Sequence, residues 1–508
     1  MLKFLPNTVK NQLVEIFNAS LEGGGIPNDW KSSLILPILK DNKDPKEAGS
    51  YRPIALTSCV AKTLESIMQH RIEWELENSD KLPKTQIGFR KGKGCMENLT
   101  LLALNIQKNF QLKLDIVAVF LDIKGAYDHV NIYKLYRYLT ETLSSKDIPN
   151  LIFKLLYKRE AYTLDRSGNS IGPTLLTTGL AQGSPLSPIL FNIYTKKIHD
   201  SFGGRVKLLQ YADDFVLLTE GSNINTLIRL MNNALREIST LFTELDFQVS
   251  ATKSAAIHFT PRKHDPPRAN IVYENNIIEW TKEHKYLGII LTDTMNWTQQ
   301  ISSMSIKANK GINIMKSLTR VWWGADPKTL LMIYNGIVRP HLDYGSQLIN
   351  PTTKANKEKL NKVQFQALRV VTGCMRSTPT NTLLAESGEM DLEHRRLWLT
   401  SKLVLKNIII EGNPLIELIK DFTNMNTYQG YFARREMPYP VKTLELIDPF
   451  LNDLETYQTL PRFKFDRWMQ MESVPIINLG ILKNEDNINQ KFREVIGEKL
   501  NSHFIFLH

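Results

Sequence analysis

Two apolar segments in the middle of the chain limit its fold more than any other feature. IVAVFLDI (116–123) has the near-continuous apolar pattern of a strand covered on both faces, yet it contains Asp122 close to its end. VKLLQYADDFVLLTE (206–220) reads as a hairpin whose apolar arms meet at Asp213 and Asp214. Helical text lies between them at 131–143, 150–158 and 185–202, the last entered through the turn chemistry of GLAQGSPLSP. After the hairpin, apolar residues from Ile224 to Leu245 recur at helical spacing, and SAAIHFT (254–260) returns as a strand. The order β-α-β-β-α-β predicts an α+β fold built on a split, ferredoxin-like sheet.

The acids inside this pattern need a partner. An ionised Asp122 is costly to bury beside apolar neighbours. Asp213 and Asp214 repel each other, and a hairpin tip ordinarily selects Gly or Asn. A divalent cation resolves both costs, and Mg²⁺ suits one or two carboxylates completed by phosphate and water. If the two segments are neighbouring strands, Asp122 and Asp213 converge although 91 positions separate them. The competing reading is an Asp-rich turn unrelated to a strand-end Asp.

The flanks are plainer. Residues 7–22 look helical until Gly23-Gly24-Gly25, KSSLILPILK (31–40) is a strand candidate, and 61–77 is helical. KTQIGFRKGKGCMEN (84–98) is a Gly/Lys loop without the residue order of a P-loop. Beyond Thr294 the pattern is mainly helical, and it weakens after Pro414. The chain carries a net charge of +11. Most of it falls in 296–376, where twelve lysines and arginines oppose only Asp326, Asp343 and Glu358. With Trp297, Trp322, Trp323 and Phe365, that stretch suits a phosphate backbone and stacked bases, or is simply a solvated helical face. Three scattered cysteines and no 18-residue apolar run argue against a secreted disulfide scaffold or a membrane protein, and for an intracellular location, nucleus or cytoplasm undecided.

The motifs stand in a recognisable order: Trp30-Lys31 with ILPILKDNKDP, SYRPIALTSCVAKTLE (50–65), QIGFRKGKG (86–94), FLDIKGAYDHV (120–130), GLAQGSPLSPILFNIY (179–194), YADDFVLL (211–218), FQVSATKS (247–254) and HKYLGIIL (284–291). In this the chain resembles the reverse transcriptases of non-LTR, LINE-type retrotransposons, most of all the Jockey-like ones. The resemblance implies a right-hand polymerase. Its reverse transcriptase domain would span 20–291, with fingers within 1–115 and then the palm. A helical, basic thumb would follow at 295–411, and a C-terminal region of unknown role at 412–508. It implies an RNA template, a DNA primer and dNTPs, with two Mg²⁺ ions, or Mn²⁺ in their place, held by Asp122, Asp213 and Asp214.

Further roles come from the same resemblance. Tyr127 would clash with a 2′-hydroxyl and select dNTPs, or is a packed aromatic. Gln182 and Gly183 would line the nucleotide pocket, and Lys40 and Arg52 would hold the triphosphate. Lys253 would protonate pyrophosphate, or is a solvated lysine. Arg90, Lys91 and Lys93 would contact nucleic acid, and Tyr286-Leu287-Gly288 would form the primer grip. Asp128 reads instead as the cap of the helix near Asn131. Full-length relatives carry an endonuclease domain ahead of the polymerase, so the chain is expected to be a fragment. HFIFLH (503–508) would open an RNase H domain. The alternative is a catalytically inactive, nucleic-acid-binding remnant of a transposon. Oligomeric state is not legible.

Overall fold

The computed structural model describes residues 4–41, 43–165, 167–262, 269–319, 324–425 and 429–451, all within the unit Met1–Glu455. Strands β1 (Ser32–Leu39) and β2 (Tyr51–Thr57) precede two long helices, Cys59–Asn78 and Cys95–Gln111. Strand β3 (Asp115–Asp122), helices Ile132–Thr142 and Asp147–Leu156, strands β4 (Arg159–Leu164) and β5 (Ser170–Leu176) and helix Ser187–Asp200 follow. The hairpin is β6 (Val206–Tyr211) and β7 (Asp214–Gly221), and helix Ile224–Glu244 leads to β8 (Ala255–Phe259). Short hairpins β9 (Ile271–Tyr273)/β10 (Asn276–Ile278) and β11 (Glu283–Tyr286)/β12 (Ile289–Thr292) open the helical remainder.

The expected split sheet forms. Its order is β6-β7-β3-β8, each pair antiparallel, which is the ferredoxin-like arrangement of a β-α-β-β-α-β chain. Strand β3 is apolar from Ile116 to Leu121 because its alternate residues serve two cores. Ile116, Ala118 and Phe120 join the core that includes helix Cys95–Gln111 and the C-terminal helices. Val117, Val119 and Leu121 join the core formed with helices Ser187–Asp200 and Ile224–Glu244. A second sheet, β2-β1-β4-β5, carries β1 and β4 in parallel.

Three elements escape the sequence pattern. Helix Cys95–Gln111 is buried almost all round, so it shows no polar stripe, and the Gly/Lys loop of 84–98 gives way to it at Cys95. Strand β2 and the β4/β5 hairpin are equally unmarked. The weakly patterned stretch after Pro414 sends Leu415, Ile419, Phe422, Phe432, Tyr439 and Leu444 into the core. Lys108 pairs with Asp421 at 2.6 Å, Gln111 Nε2 donates to the Gln429 carbonyl at 2.6 Å, and Phe110 meets Tyr431 with ring centroids 5.2 Å apart. Phe422, Tyr439 and Val441 are fully buried. The HFIFLH segment, Arg320, Trp322 and Trp323 lie outside the described residues. No helix among the described residues is long and apolar enough to cross a membrane.

Candidate active site

The β3–β7 register sets Asp122 directly opposite Asp214, and Asp213 occupies the two-residue turn beside it. Ala212, not Gly or Asn, takes the left-handed conformation of that turn, at φ +56°. Burial, with Asp122 nearby, raises the Asp213 carboxyl above its ordinary range. Burial together with Asp213 and Asp122 pushes Asp214 up to about 7. The FQVSATKS segment wraps the end of β3: the Asp122 amide donates to Ser254 Oγ at 3.2 Å, and Ser250 N–H donates to the Asp122 carbonyl at 2.8 Å. From the same segment Lys253 Nζ comes within 3.5 Å of the Asp122 carboxylate.

A crowded set of hard oxygen donors with one exposed lysine fits a divalent cation. Among the described residues no three His, Cys, Asp or Glu side chains are already gathered closely enough to hold one.

One wall beside the acids is aromatic. The Tyr127 ring stacks on Phe191 at 4.9 Å and meets Phe89 edge-on at 6.4 Å. Burial and the Asp213 charge keep its hydroxyl protonated. The turn 178–186 is fastened on every side. Leu180 N–H donates to the Tyr127 carbonyl, and Ala55 N–H in β2 donates to the Gln182 carbonyl at 2.7 Å. A Cβ on Gly183, at φ +118°, would meet the Ala55 carbonyl at 2.9 Å. Arg159 Nη2 donates to the Thr178 and Gly179 carbonyls, and Ser184 Oγ donates to Glu65 at 2.8 Å. Gln182 and Gly183 thus lie against β2, which carries Arg52. The Arg52 side chain is exposed, with no hydrogen bond or ion pair to a described residue, whereas Lys40 Nζ donates to the Gly49 carbonyl at 3.0 Å.

Several sequence expectations need correcting. Asp128 does not cap the following helix; Asn131 does, its Oδ1 accepting from Tyr133 and Lys134 N–H. The Arg90 guanidinium is buried, donates through Nε and Nη2 to Glu77 at 2.7 Å, and through Nη1 to the Pro83 and Gln86 carbonyls. It is a fastener of its loop, not an open phosphate contact. Lys91 is exposed; Lys93 is half-buried, its amine pushed down to about 8 by burial and by Arg90. The Tyr286 side chain is also buried, with its hydroxyl donating to Asn98 at 2.9 Å, so of Tyr286-Leu287-Gly288 only the Leu287-Gly288 turn is presented. That turn has φ of +43° and +81°, and the Leu287 carbonyl accepts from the Tyr344 hydroxyl. Trp297 is 1 % exposed and Phe365 packs on the core, so neither can stack on a base. Of the eleven basic residues described in 296–376, eight are exposed, among them Lys307, Lys310 and Lys316, while Lys357 and Arg339 are spent on Glu436 and Glu389.

Arg159 and Glu65, which fasten the 178–186 turn, have no role in the sequence reading. Glu65 leaves a signal, an acid on the same helical stripe as the buried Ala61, Leu64 and Met68; Arg159 leaves none.

The reverse transcriptase (RNA-dependent DNA polymerase) family matches residues 40–291. The chain is 29 % identical over 382 residues to an RNA-directed DNA polymerase from the mobile element jockey of Drosophila funebris, covering 73 % of this chain and 41 % of that one. It is 27 % identical over 379 residues to a probable RNA-directed DNA polymerase from transposon BS of Drosophila melanogaster, covering 73 % and 42 %. It therefore spans about two fifths of the length of these relatives. Among solved structures, an apo telomerase from Candida tropicalis shares 12 % identity at a TM-score of 0.44, over 89 % of this chain and 73 % of that one; that likeness is too distant to bear on the fold.

Proposed function

We propose that the chain, whose residues 40–291 match the reverse transcriptase family, is the polymerase part of a non-LTR retrotransposon protein, extending a DNA primer with dNTPs on an RNA template. The observation that carries the reading is the convergence of Asp122, Asp213 and Asp214 at one end of the split sheet.

In this reading Asp122 and Asp213 hold Mg²⁺, with Asp214 at the edge of the site. The metal, when bound, acidifies the attacking 3′-hydroxyl and neutralises charge on the leaving pyrophosphate. The remaining steps belong to the chain. Arg52 and Lys40 draw the triphosphate towards β2, and the Gln182-Gly183 turn supports the paired base. Tyr127, held by Phe191, leaves no room for a 2′-hydroxyl. Lys253 Nζ, which is largely solvent-exposed, gives a proton to the departing pyrophosphate oxygen. The exposed lysines of 296–376 and the Leu287-Gly288 turn contact the nucleic-acid backbone. Residues 1–115 and 295–411 serve as fingers and thumb.

The test is dNTP incorporation on a primed homopolymer RNA with Mg²⁺, beside a double variant, Asp213→Ala with Asp214→Ala. Activity that the variant loses supports both reaction and site. Binding of RNA by both proteins without incorporation by either favours the inactive remnant, and activity surviving in the variant overturns the site.

A further inference from the structure

Beneath the turn that carries Asp213 runs a buried chain of hydrogen bonds that the proposed reaction does not use. Ala212 sits at φ +56°, a conformation that strains a residue with a Cβ, and the loop bearing Gly88 presses so close that a Cβ there would lie 2.3 Å from the Ala212 nitrogen. The Ala212 carbonyl accepts from Gln210 Nε2 at 2.8 Å. The second hydrogen of that amide goes to Thr195 Oγ1 at 2.9 Å. Gln210 Oε1 faces His199 Nε2 at 2.8 Å, and His199 Nδ1 faces Thr85 Oγ1 at 3.1 Å. Gln86 Nε2 also donates to Thr195 Oγ1, at 3.0 Å, and Thr195 passes its own proton to the Phe191 carbonyl at 3.0 Å. Gln86, Thr195 and Gln210 have no exposed surface, and His199 is 8 % exposed.

The donors and acceptors admit one polarity. Thr195 accepts from two amides and has only one proton to give, so the nitrogen of Gln210 must face it. Turning the Gln210 amide over would set two oxygens against each other at Ala212. With Oε1 towards His199, the imidazole carries its proton on Nε2, leaving bare Nδ1 to accept the Thr85 hydroxyl. Burial keeps His199 neutral, its pKa down at about 4.

We propose that Gln210 is a positioning residue. Its amide, oriented by Thr195 and by the Thr85–His199 relay, tethers the Ala212 carbonyl, holds the left-handed turn, and so sets Asp213 and Asp214 relative to Asp122. The inference rests on the reading of those acids as metal ligands. Gln210→Glu is nearly isosteric but has no amide hydrogens to give, so Ala212 and Thr195 are both left without their donor. Thr85→Val leaves Gln210 in place and removes only the proton that fixes the His199 tautomer.

The experiment measures Mn²⁺ affinity of the full chain by electron paramagnetic resonance, without substrate, together with turnover, RNA affinity and the melting curve. In Gln210→Glu, Mn²⁺ affinity and turnover should each fall by about tenfold or more, with RNA affinity at the parental value. Thr85→Val should move both in the same direction by a smaller factor. Parental Mn²⁺ affinity and turnover in a folded Gln210→Glu overturn the tether. If that variant does not fold, Thr85→Val decides, and parental Mn²⁺ affinity there overturns it equally. A parent that binds Mn²⁺ through Asp213 but incorporates no nucleotide defeats the proposed reaction and leaves the tether to be judged on affinity alone.

Discussion

Asp122 and Asp214 face one another across the antiparallel ladder of β3 and β7. Directly opposed like charges weaken a strand pair, and here Asp213 in the adjoining turn adds a third. Sequence neighbours would not have shown this cost, because it arises between strands joined through more than 80 residues of helix and sheet.

The acids should behave differently on removal. Asp122→Asn and Asp213→Asn should each lower nucleotide incorporation by at least about a hundredfold, with RNA affinity retained. Asp214, raised to about 7, is ionised in the unfolded chain well below the pH at which it ionises in the folded one. Metal-free protein should therefore lose stability as pH rises from about 4 to about 7. Mg²⁺ at pH 8 should restore it, and Asp214→Asn should flatten the dependence. Melting curves with and without chelator decide the point; a flat parental profile would show that the repulsion is relieved by other means.

Tyr127 lies against Phe191 at the edge of the acidic site. Tyr127→Val should reduce the preference for dNTP over NTP, read as the ratio of kcat/KM values, by about 10- to 100-fold. An unchanged ratio would leave Tyr127 as a packing residue.

Arg90 and the exposed lysines should separate cleanly. Arg90→Ala removes a buried guanidinium together with its bonds to the exposed Glu77 and to the Pro83 and Gln86 carbonyls, and should cost ~2 kcal/mol of stability in a urea melt. Lys307→Ala with Lys310→Ala should leave the melt unchanged and reduce the salt slope of RNA binding by about one for each phosphate that is no longer neutralised. The opposite pattern would restore Arg90 to the nucleic-acid interface.

A chain ended at 411 should lose its cooperative melt, since Ile419, Phe422, Phe432 and Tyr439 are buried in the core shared with β3. Circular dichroism on heating tests this, and a parental transition would make the 414–451 helices dispensable.

His199 supplies a second pH dependence, of opposite sign. Its folded pKa of about 4 lies below the ordinary 6.5, so the folded chain resists a proton that the unfolded chain accepts. Stability from this group is complete above about 6.5 and is lost as pH falls towards 4, on the order of 3 kcal/mol in all. Urea melts at pH 4.5 and 7 should show a smaller difference in His199→Asn than in the parent.

Residue spacing alone determined the split sheet, because the periods of strand and helix report which face of an element is covered, and β3, β6, β7, β8 and helix Ile224–Glu244 each have a clear pattern. It also marked the three acids, since ionised groups amid apolar text stand out. What tertiary structure decided lies between elements distant in the chain. Asp122 meets Asp214, Arg90 is spent on Glu77, the Tyr286 hydroxyl on Asn98, and Gln210 holds Ala212 with the help of Thr195 and His199. Periodicity shows that a residue lies inside, but not which partner it finds there. Whether a polar side chain is free to meet a ligand depends on that partner, and only the assembled fold supplies it.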